Sequence, residues 1–384
     1  MTSVGASKNR SLKSARSTKN DEFYTQWADI EREMNAYLDY DRDVFKDKTI
    51  LLPCDDPEWS NFAKFFALHF HDYGLKKLIA TSYAPDSNHA LPSYQPTLFE
   101  TQDPKFDKVK TRERGKLFVL DRDVNGDGII NIEDLQWDYL EGDGDFRSEE
   151  VTALRDQADI IVTNPPFSQF REFIAWILAG EKKFSVIGSK NAITYKEIFP
   201  LVKGNQLWLG NGFANGNAYF RIPEGAQSDY ASGVYDEATG LVKFRNVDWF
   251  TNIDHGRRHA PLDLMSTADN IKFSKHKEVR GTGYRPYDNY RDAIDIPYTD
   301  AIPSDHDGVM GVPISFLNRY NPDQFEIIGI TDRDNPHGLK TREYTAADAK
   351  NHSDLNRRGA LREPDGTLKS TYARILIRRK VGAA

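Results

Sequence analysis

Residues 158–170 read ADIIVTNPPFSQF (Ala158–Phe170). Ile160–Thr163 is β-branched and has no polar alternation. A strand buried on both faces at the centre of a parallel sheet has that composition. The run stops at Asn164-Pro165-Pro166-Phe167. Two consecutive prolines lack amide hydrogens and cannot continue a central strand. FREFIAWIL (Phe170–Leu178) then resumes with helical spacing. The local order is therefore strand, rigid turn, helix. In open α/β sheets, ligands bind outside the carboxyl ends of the strands, so the turn is the first candidate site.

Working outward, the same alternation recurs. KTILLP (Lys48–Pro53) reads as a short buried strand. DPEWSNFAKFFALHFHDYG (Asp56–Gly74) reads as a helix with Asp56 as N-cap, Pro57 at its first position and Gly74 closing it. KKLIATSY (Lys76–Tyr83) is a second strand, so the three form a parallel strand–helix–strand unit. KLFVL (Lys116–Leu120) and FSVIGS (Phe184–Ser189) are further strands. AITYKEIFPLV (Ala192–Val202) is expected to be a helix, as is the stretch from Glu22 to Tyr40. QLWLG, NAYFRIP, LVKFR and VDWFTNI add short strands between Gln206 and Ile253. This layout predicts an α/β domain over residues 21–251 with an antiparallel finish. Residues 84–110 are irregular and read as an insertion or mobile loop. Residues 1–20 read as a disordered basic tail. A soft boundary near 252 opens a C-terminal region, 252–384, whose clearer strands are FEIIGITDR (Phe325–Arg333) and YARILIRRK (Tyr372–Lys380).

Composition narrows the class. The chain has 384 residues and a net charge of −7, with Cys54 its single cysteine. An intramolecular disulfide and a cysteine-based zinc site are excluded, which suits a reducing cytoplasm. No apolar run reaches the roughly 18 residues a membrane span needs. The first twenty residues carry no apolar segment of a secretory signal. The histidines show no metal-ligand spacing, and His69 and His71 read as packing or surface residues of an aromatic helix. A protein that merely coats nucleic acid is usually basic. Here acids crowd Asp121–Glu150 and bases gather after 255.

Asn164-Pro165-Pro166-Phe167 has a definite chemistry. The Asn164 side-chain carbonyl is one acceptor. The Pro165 backbone carbonyl is another, held stiffly because proline follows. Phe167 supplies a flat ring. Two converging acceptors beside an aromatic face suit an amino group on a planar ring. They hold its N–H bonds, draw the nitrogen towards sp³ character and expose a lone pair to an electrophilic methyl group. No strong base is required. The bland alternative is a turn that merely ends a strand.

The blocks KNDEFYTQWADIEREM (Lys19–Met34), LLPCDDPEWSNF (Leu51–Phe62), GDGDFRSEEV (Gly142–Val151), ADIIVTNPPFSQFREFI, KKFSVIGSKNAITYKEIF (Lys182–Phe199) and GVPISFLNRYNPDQFEIIG (Gly311–Gly329) stand in this order. Together they resemble the EcoRI-like adenine-specific DNA methyltransferases, over most of residues 19–331. The resemblance implies a Rossmann-like S-adenosylmethionine-dependent methyltransferase fold, mostly parallel with helices on both faces, plus a C-terminal DNA-recognition region. It implies methyl transfer to adenine N6 in double-stranded DNA, with the base flipped out of the duplex. The setting would be a cytoplasmic restriction-modification or phage-type system, with any cognate restriction endonuclease acting separately.

The same resemblance distributes roles. Phe23, Tyr24 and Thr25 would close over the methionine end of S-adenosylmethionine. Pro53, Cys54 and Asp55 form the first turn, where this sequence lacks the glycine-rich loop of related folds. Asp55 would hold ribose hydroxyls or the methionine ammonium. The acid at the end of the second strand is also missing, with Ser82 or Tyr83 in its place. Asp145 would accept from the cofactor's adenine amino group, and Phe146 would lie on its ring. Asn164, Pro165, Pro166 and Phe167 would form the methyl-transfer site, Asn164 also bordering the cofactor. Phe170 and Phe173 would wall the cofactor or fill core. Tyr219 or Phe220 would give the base a second face, or pack in a strand.

DVNGDGIINIED (Asp123–Asp134) fits the D-x-[DN]-x-[DN]-G calcium-loop pattern, with ligands from Asp123, Asn125, Asp127, Ile129, Asn131 and Asp134. Its last ligand is Asp rather than Glu, and a strand precedes it rather than a helix, so a compact acidic turn is the alternative. For DNA, GRRH and RGTGYRPY offer Arg257, Arg258, Arg280, Tyr284 and Arg285. Solvated surface is the bland reading of each. Two rival functions remain open from sequence: RNA or protein-glutamine methylation by the same chemistry, and a non-catalytic calcium-loop interaction module.

Overall fold

The computed structural model describes residues 24–56, 60–84, 101, 103–222, 233–332 and 339–380. The chain divides into two compact units. Unit 1 is built from the described residues up to Ser189 and from Gly210–Asp254. Unit 2 is built from Lys190–Leu209 and those from His255 onward.

In unit 1 the chain forms β1 (Tyr24–Thr25), α1 (Trp27–Tyr40), β2 (Thr49–Leu52), α2 (Asn61–Leu68), β3 (Lys77–Ser82), the one-turn α3 (Lys110–Glu113), β4 (Lys116–Leu120), β5 (Gln136–Tyr139), α4 (Glu149–Gln157), β6 (Ile160–Thr163), α5 (Phe170–Ala179) and β7 (Lys183–Ser189). Unit 2 takes α6 (Phe199–Lys203) and the two-residue β8 (Trp208–Leu209). The chain then returns to unit 1 for β9 (Ala218–Arg221), β10 (Tyr235–Asp236), β11 (Leu241–Phe244) and β12 (Val247–Thr251).

Seven strands of unit 1 lie side by side in the order β5-β4-β3-β2-β6-β7-β12. The middle four are parallel, since β2 pairs parallel with both β3 and β6, and β6 with β7. β4, β5 and β12 are antiparallel additions. All four residues of β2 and of β6 are buried, as two covered faces require. The chain passes from β2 to β3 on one side and later places β6 on the other. The order therefore reverses at β2, and the carboxyl ends of β2 and β6 are where open α/β sheets of this kind bind ligands. A second, antiparallel sheet runs β1-β9-β11-β10.

Helix α1 buries Ile30, Glu33, Met34 and Tyr37, spaced on one helical face. Its entry corrects the expectation of a helix from Glu22, because Tyr24 and Thr25 pair instead with Arg221 and Phe220. Helix α2 is capped by Ser60, whose side chain accepts the Phe62 amide hydrogen, and not by Asp56. Pro57 lies outside the described residues. The expected helix over Ala192–Val202 is broken. Pro200 sits in the first turn of α6, where a missing N–H costs nothing; a continuous helix would have placed it in the interior. β5 lies inside the acidic stretch Asp121–Glu150 and α4 starts at its end, two elements the sequence reading did not place. Ser148 caps α4 and Glu149 and Glu150 occupy its first turn, where carboxylates complement the helix dipole.

In unit 2, five strands run β13-β14-β15-β19-β16: Arg285–Pro286, Ala293–Asp295, Val309–Pro313, Arg374–Arg379 and Phe325–Ile330 in that spatial order. A hairpin of β17 (Ala360–Arg362) and β18 (Leu368–Ser370), with helices α7 (Thr267–Phe273) and α8 (His352–Arg357), completes it. No helix among the described residues is long and apolar enough to cross a membrane.

Candidate active site

Four segments meet at the reversal point, through one side-chain and two backbone hydrogen bonds. The Thr163 hydroxyl, at the end of β6, donates to the Pro53 carbonyl at 2.7 Å. The Asp55 amide donates to the Thr81 carbonyl at the end of β3, also at 2.7 Å. The Ala84 amide donates to the Asp143 carbonyl at 2.7 Å. Pro53–Asp55, Thr81–Ala84, Asp143–Phe146 and Thr163–Phe167 are thereby fastened along one edge. Gly144 is essential to that closure. Its φ is +85°, and a Cβ there would stand 2.2 Å from the Ser82 carbonyl oxygen. Gly144→Ala should therefore destabilise the protein by about 2 kcal/mol, read as a lowered urea midpoint. An unchanged midpoint would mean the turn relaxes freely.

The sequence candidates take distinct places. Asn164 is half-buried directly after β6, and Pro165 is buried beside it. Phe167 is only 5 % exposed and belongs to the apolar core of unit 1. Its ring is covered here, not offered as an open platform. Phe170 is buried against Phe250, ring centroids 4.9 Å apart, and presses on Gly188, where a Cβ would meet it at 2.3 Å. Phe146 is buried against Phe173 and Trp176 at 5.0 and 5.6 Å, with the Arg147 guanidinium 5.3 Å from its ring centre.

Asp145 accepts from the Arg147 amide and guanidinium, at 2.8 Å and 2.9 Å to one oxygen and 2.5 Å to the other. That guanidinium holds its carboxyl below the usual range. Tyr83 donates to Asp143, and burial together with that carboxylate pushes the phenol up to about 12. Cys54 adopts φ +61°, a left-handed conformation uncommon for a residue with a Cβ, at the carboxyl end of the central strand. Asp55 is 4 % exposed. Its carboxylate accepts the Ala63 amide hydrogen at 3.2 Å and the Ser60 hydroxyl, and burial pushes it up to about 7. Asp55 thus faces the start of α2. Thr25 lies beside it in the fold, since the Asn61 side chain donates to the Thr25 carbonyl at 2.8 Å. Phe23 lies outside the described residues.

NAYF is resolved by strand alternation. Phe220 is fully buried, while Tyr219 is 37 % exposed with the Lys243 ammonium 5.5 Å from its ring centre. Several site residues had no sequence signal. Thr163 acts through its hydroxyl on the Pro53 carbonyl, and Asp143 through its carbonyl to Ala84 and its carboxylate to Tyr83. Arg147 was legible only as a cation two positions from Asp145.

The calcium expectation finds no support among the described residues. The Asp123 carboxylate accepts the Gly126 and Gly128 amides at 2.6 and 2.8 Å. Asn125 and Asp127 accept those of Asp127 and Ile129. Asp134, 2 % exposed, accepts those of Val124, Asn125 and Asn131, and Asn131 accepts that of Glu133. These oxygens saturate the loop's own backbone donors. Among the described residues no cluster of three or more His, Cys, Asp or Glu is placed to hold a metal ion. The segment is a self-closed acidic turn.

The basic candidates of unit 2 separate equally clearly. Arg257 and Arg280 are exposed. Arg258 is 6 % exposed, its guanidinium 3.7 Å above the Trp208 ring and bonded to the Asn205 side chain, so it is committed to packing within the unit. Tyr284 donates to the Ala301 carbonyl at 2.6 Å, and Arg285 pairs with Glu363 at 2.9 Å.

A mixed sheet with a parallel centre and an Asn-Pro-Pro-Phe turn at its reversal point is consistent with an α/β methyltransferase. Residues 11–380 match the family described as adenine-specific methyltransferase EcoRI, and the chain belongs to that family. It is 40 % identical over 332 residues to the Type II methyltransferase M.EcoRI of Escherichia coli, covering 85 % of this chain and 92 % of that protein. It is 33 % identical over 369 residues to the Type II methyltransferase M.MpnI of Mycoplasma pneumoniae, covering 95 % and 97 %. Against the Type II methyltransferase M.MgeORF184P of Mycoplasma genitalium the figures are 32 % over 375 residues, covering 95 % and 98 %. No solved structure matches the chain.

Proposed function

We propose that the chain methylates adenine N6 at a specific site in double-stranded DNA, on a flipped base, with S-adenosylmethionine as donor. Unit 1 carries a Rossmann-like methyl-transfer site and the C-terminal region reads DNA. The observation that carries this reading is the placement of Asn164-Pro165-Pro166-Phe167 beside the Pro53–Asp55 turn where the strand order reverses.

The residues present fit such a donor. The Thr25 and Thr81 hydroxyls are buried at this edge with no partner among the described residues, so each lacks a hydrogen bond that a polar ligand can supply. Thr25, Cys54, Thr81, Tyr83 and Asp145 are the groups assigned to hold it. When bound, S-adenosylmethionine supplies an electrophilic sulfonium methyl, whose C–S bond breaks as the C–N bond forms. The Asn164 side-chain oxygen and the Pro165 carbonyl accept the two N–H bonds of the target amino group and aim its lone pair. Orientation and proximity then carry the rate. The surplus proton stays hydrogen-bonded to one of these oxygens until it leaves to water. The covered ring of Phe167 is assigned as a wall of the pocket. Arg257 and Arg280 are assigned to phosphates.

The test is transfer of tritium from labelled S-adenosylmethionine to mixed-sequence duplex DNA, with RNA and protein as competitors. Label recovered as N6-methyladenine is expected. Label that prefers RNA or glutamine would sink the DNA reading. Asp145→Ala should raise the donor KM about tenfold with kcat little changed, the loss of one hydrogen bond to a bound ligand. An unchanged KM would remove Asp145 from the donor site.

A further inference from the structure

Residues 271–285 read IKFSKHKEVRGTGYR, five lysines and arginines against one glutamate in a chain of net charge −7. The segment is the end of α7 and a tight turn folded back on it. The Gly281 amide donates to the Ile271 carbonyl at 2.8 Å, and those of Arg280 and Gly283 donate to His276 and Val279 at 2.9 Å. Val279 is fully buried beneath the turn. One flank is pinned. The His276 ring stacks on Tyr298 with centroids 3.6 Å apart and planes 5° from parallel. Asp300 takes both His276 and Lys275, each at 2.7 Å, and Glu278 accepts from the Tyr298 hydroxyl.

The local acids are thus already engaged. Lys275 is paired with Asp300, and Arg285 with Glu363. Lys272, Lys277 and Arg280 are exposed and have no carboxylate partner among the described residues. Between them, at the tip of α7, Phe273 is 61 % exposed, with the Lys272 ammonium 4.8 Å from its ring centre. A lone exposed phenylalanine is ordinary. A phenylalanine held out at the end of α7, among three cations with no carboxylate partner among the described residues, matches a particular ligand chemistry. Cations hold phosphates, and an apolar tip enters a groove to meet base edges or a base step.

We propose that the tip of α7 and the turn after it form a duplex-DNA docking element, Lys272, Lys277 and Arg280 contacting phosphates and Phe273 contacting bases. This rests on the DNA-methyltransferase reading above. The four side chains point into solvent, so their removal should leave the fold intact.

Sequencing of DNA from cells expressing the wild type maps the modified site. Binding is then measured by anisotropy on a labelled duplex with that site and on one without it. Lys277→Ala and Arg280→Ala should weaken both duplexes alike, each reducing the slope of log affinity against log salt by about 0.9. Phe273→Ala should leave the slope unchanged and weaken the site-bearing duplex on the order of tenfold, more than the other. Wild-type affinity and slope in all three variants, with DNA methylation intact in the wild type, would overturn the docking element alone. A wild type that neither methylates nor binds duplex DNA overturns the function and the element together. Loss of a dimer in Phe273→Ala with unchanged DNA binding would assign the surface to a second copy of the chain, against the proposal.

Discussion

Asn164→Ala should lower kcat for methyl transfer by on the order of a hundredfold or more, while donor binding by calorimetry stays within a few-fold of wild type. The expectation follows from what the residue is assigned to do. An adenine amino group is a poor nucleophile because its lone pair is delocalised into the ring. Two acceptors aimed at its N–H bonds are worth most when the nitrogen pyramidalises. Their effect is therefore greater in the transition state than in the ground state. Removing one preorganised group of this type typically costs 10²–10³ in kcat. Pro165 keeps its carbonyl in the variant, so residual activity is expected. Asn164→Asp retains an acceptor oxygen and should retain more activity than the alanine variant. Single-turnover labelling of the mapped duplex separates the chemical step from product release. A loss of only two- or threefold would mean that Asn164 merely ends β6.

The second large effect is on stability. Glu33 is fully buried in α1. Its carboxylate accepts from the Tyr37 hydroxyl at 2.6 Å and from the Asn211 and Gly212 amides at 3.1 and 3.0 Å. Asn211 and Gly212 open the segment that returns to unit 1. Gly210 lies so close that a Cβ would fall 1.9 Å from a Glu33 oxygen. Glu33→Ala leaves two amide donors without their acceptor and a cavity beside Trp249, and should cost about 3–5 kcal/mol. The urea midpoint reads it. A shift worth less than about 1 kcal/mol would show that water takes over the acceptor role.

Glu33 also sets a pH dependence. Burial pushes its carboxyl from 4.5 up to about 7, against the hydrogen bonds that favour the anion. Asp55 is pushed from 3.8 to about 7 for the same first reason. A raised folded-state value means the folded chain holds protons that the unfolded chain has released. Their stabilisation is fully present below about 4 and is lost as pH rises through 7. Asp134 and Asp145 act oppositely, because their folded values are depressed; their stabilisation is lost as acid titrates them below 3.8. The wild-type midpoint should therefore rise as pH falls from 8 to 5. The rise should be smaller in Glu33→Gln, which cannot titrate. An identical pH profile in the two proteins would exclude Glu33 as its source.

Much of unit 1 is legible in the sequence. The strand at Ile160–Thr163, the parallel unit from Thr49 to Ser82 and the helix after the prolines follow from local rules of burial and backbone geometry. The misreadings share a cause. The helix over Ala192–Val202 and the cap at Asp56 were inferred from composition in a window, whereas Pro200 and Ser60 act by position within a turn. Glu33 sits in EREM (Glu31–Met34), a stretch read from sequence only as part of a helix. Only the return of the chain at Gly210 buries it.

The sequence by itself determined that a parallel strand ends in two acceptors on a rigid turn, because proline geometry is local and needs no partner. Its ordered blocks also determined the family. Tertiary structure alone decided which groups the fold consumes and which it leaves available. Arg258, Arg285, Asp55 and the loop from Asp123 to Asp134 are all written as charged or polar residues, yet each is bonded within its own unit. Phe167 and Phe220 are covered while Tyr219 and Phe273 are not. Burial and pairing depend on which segments, distant in sequence, the sheet brings alongside, and no window of residues encodes that.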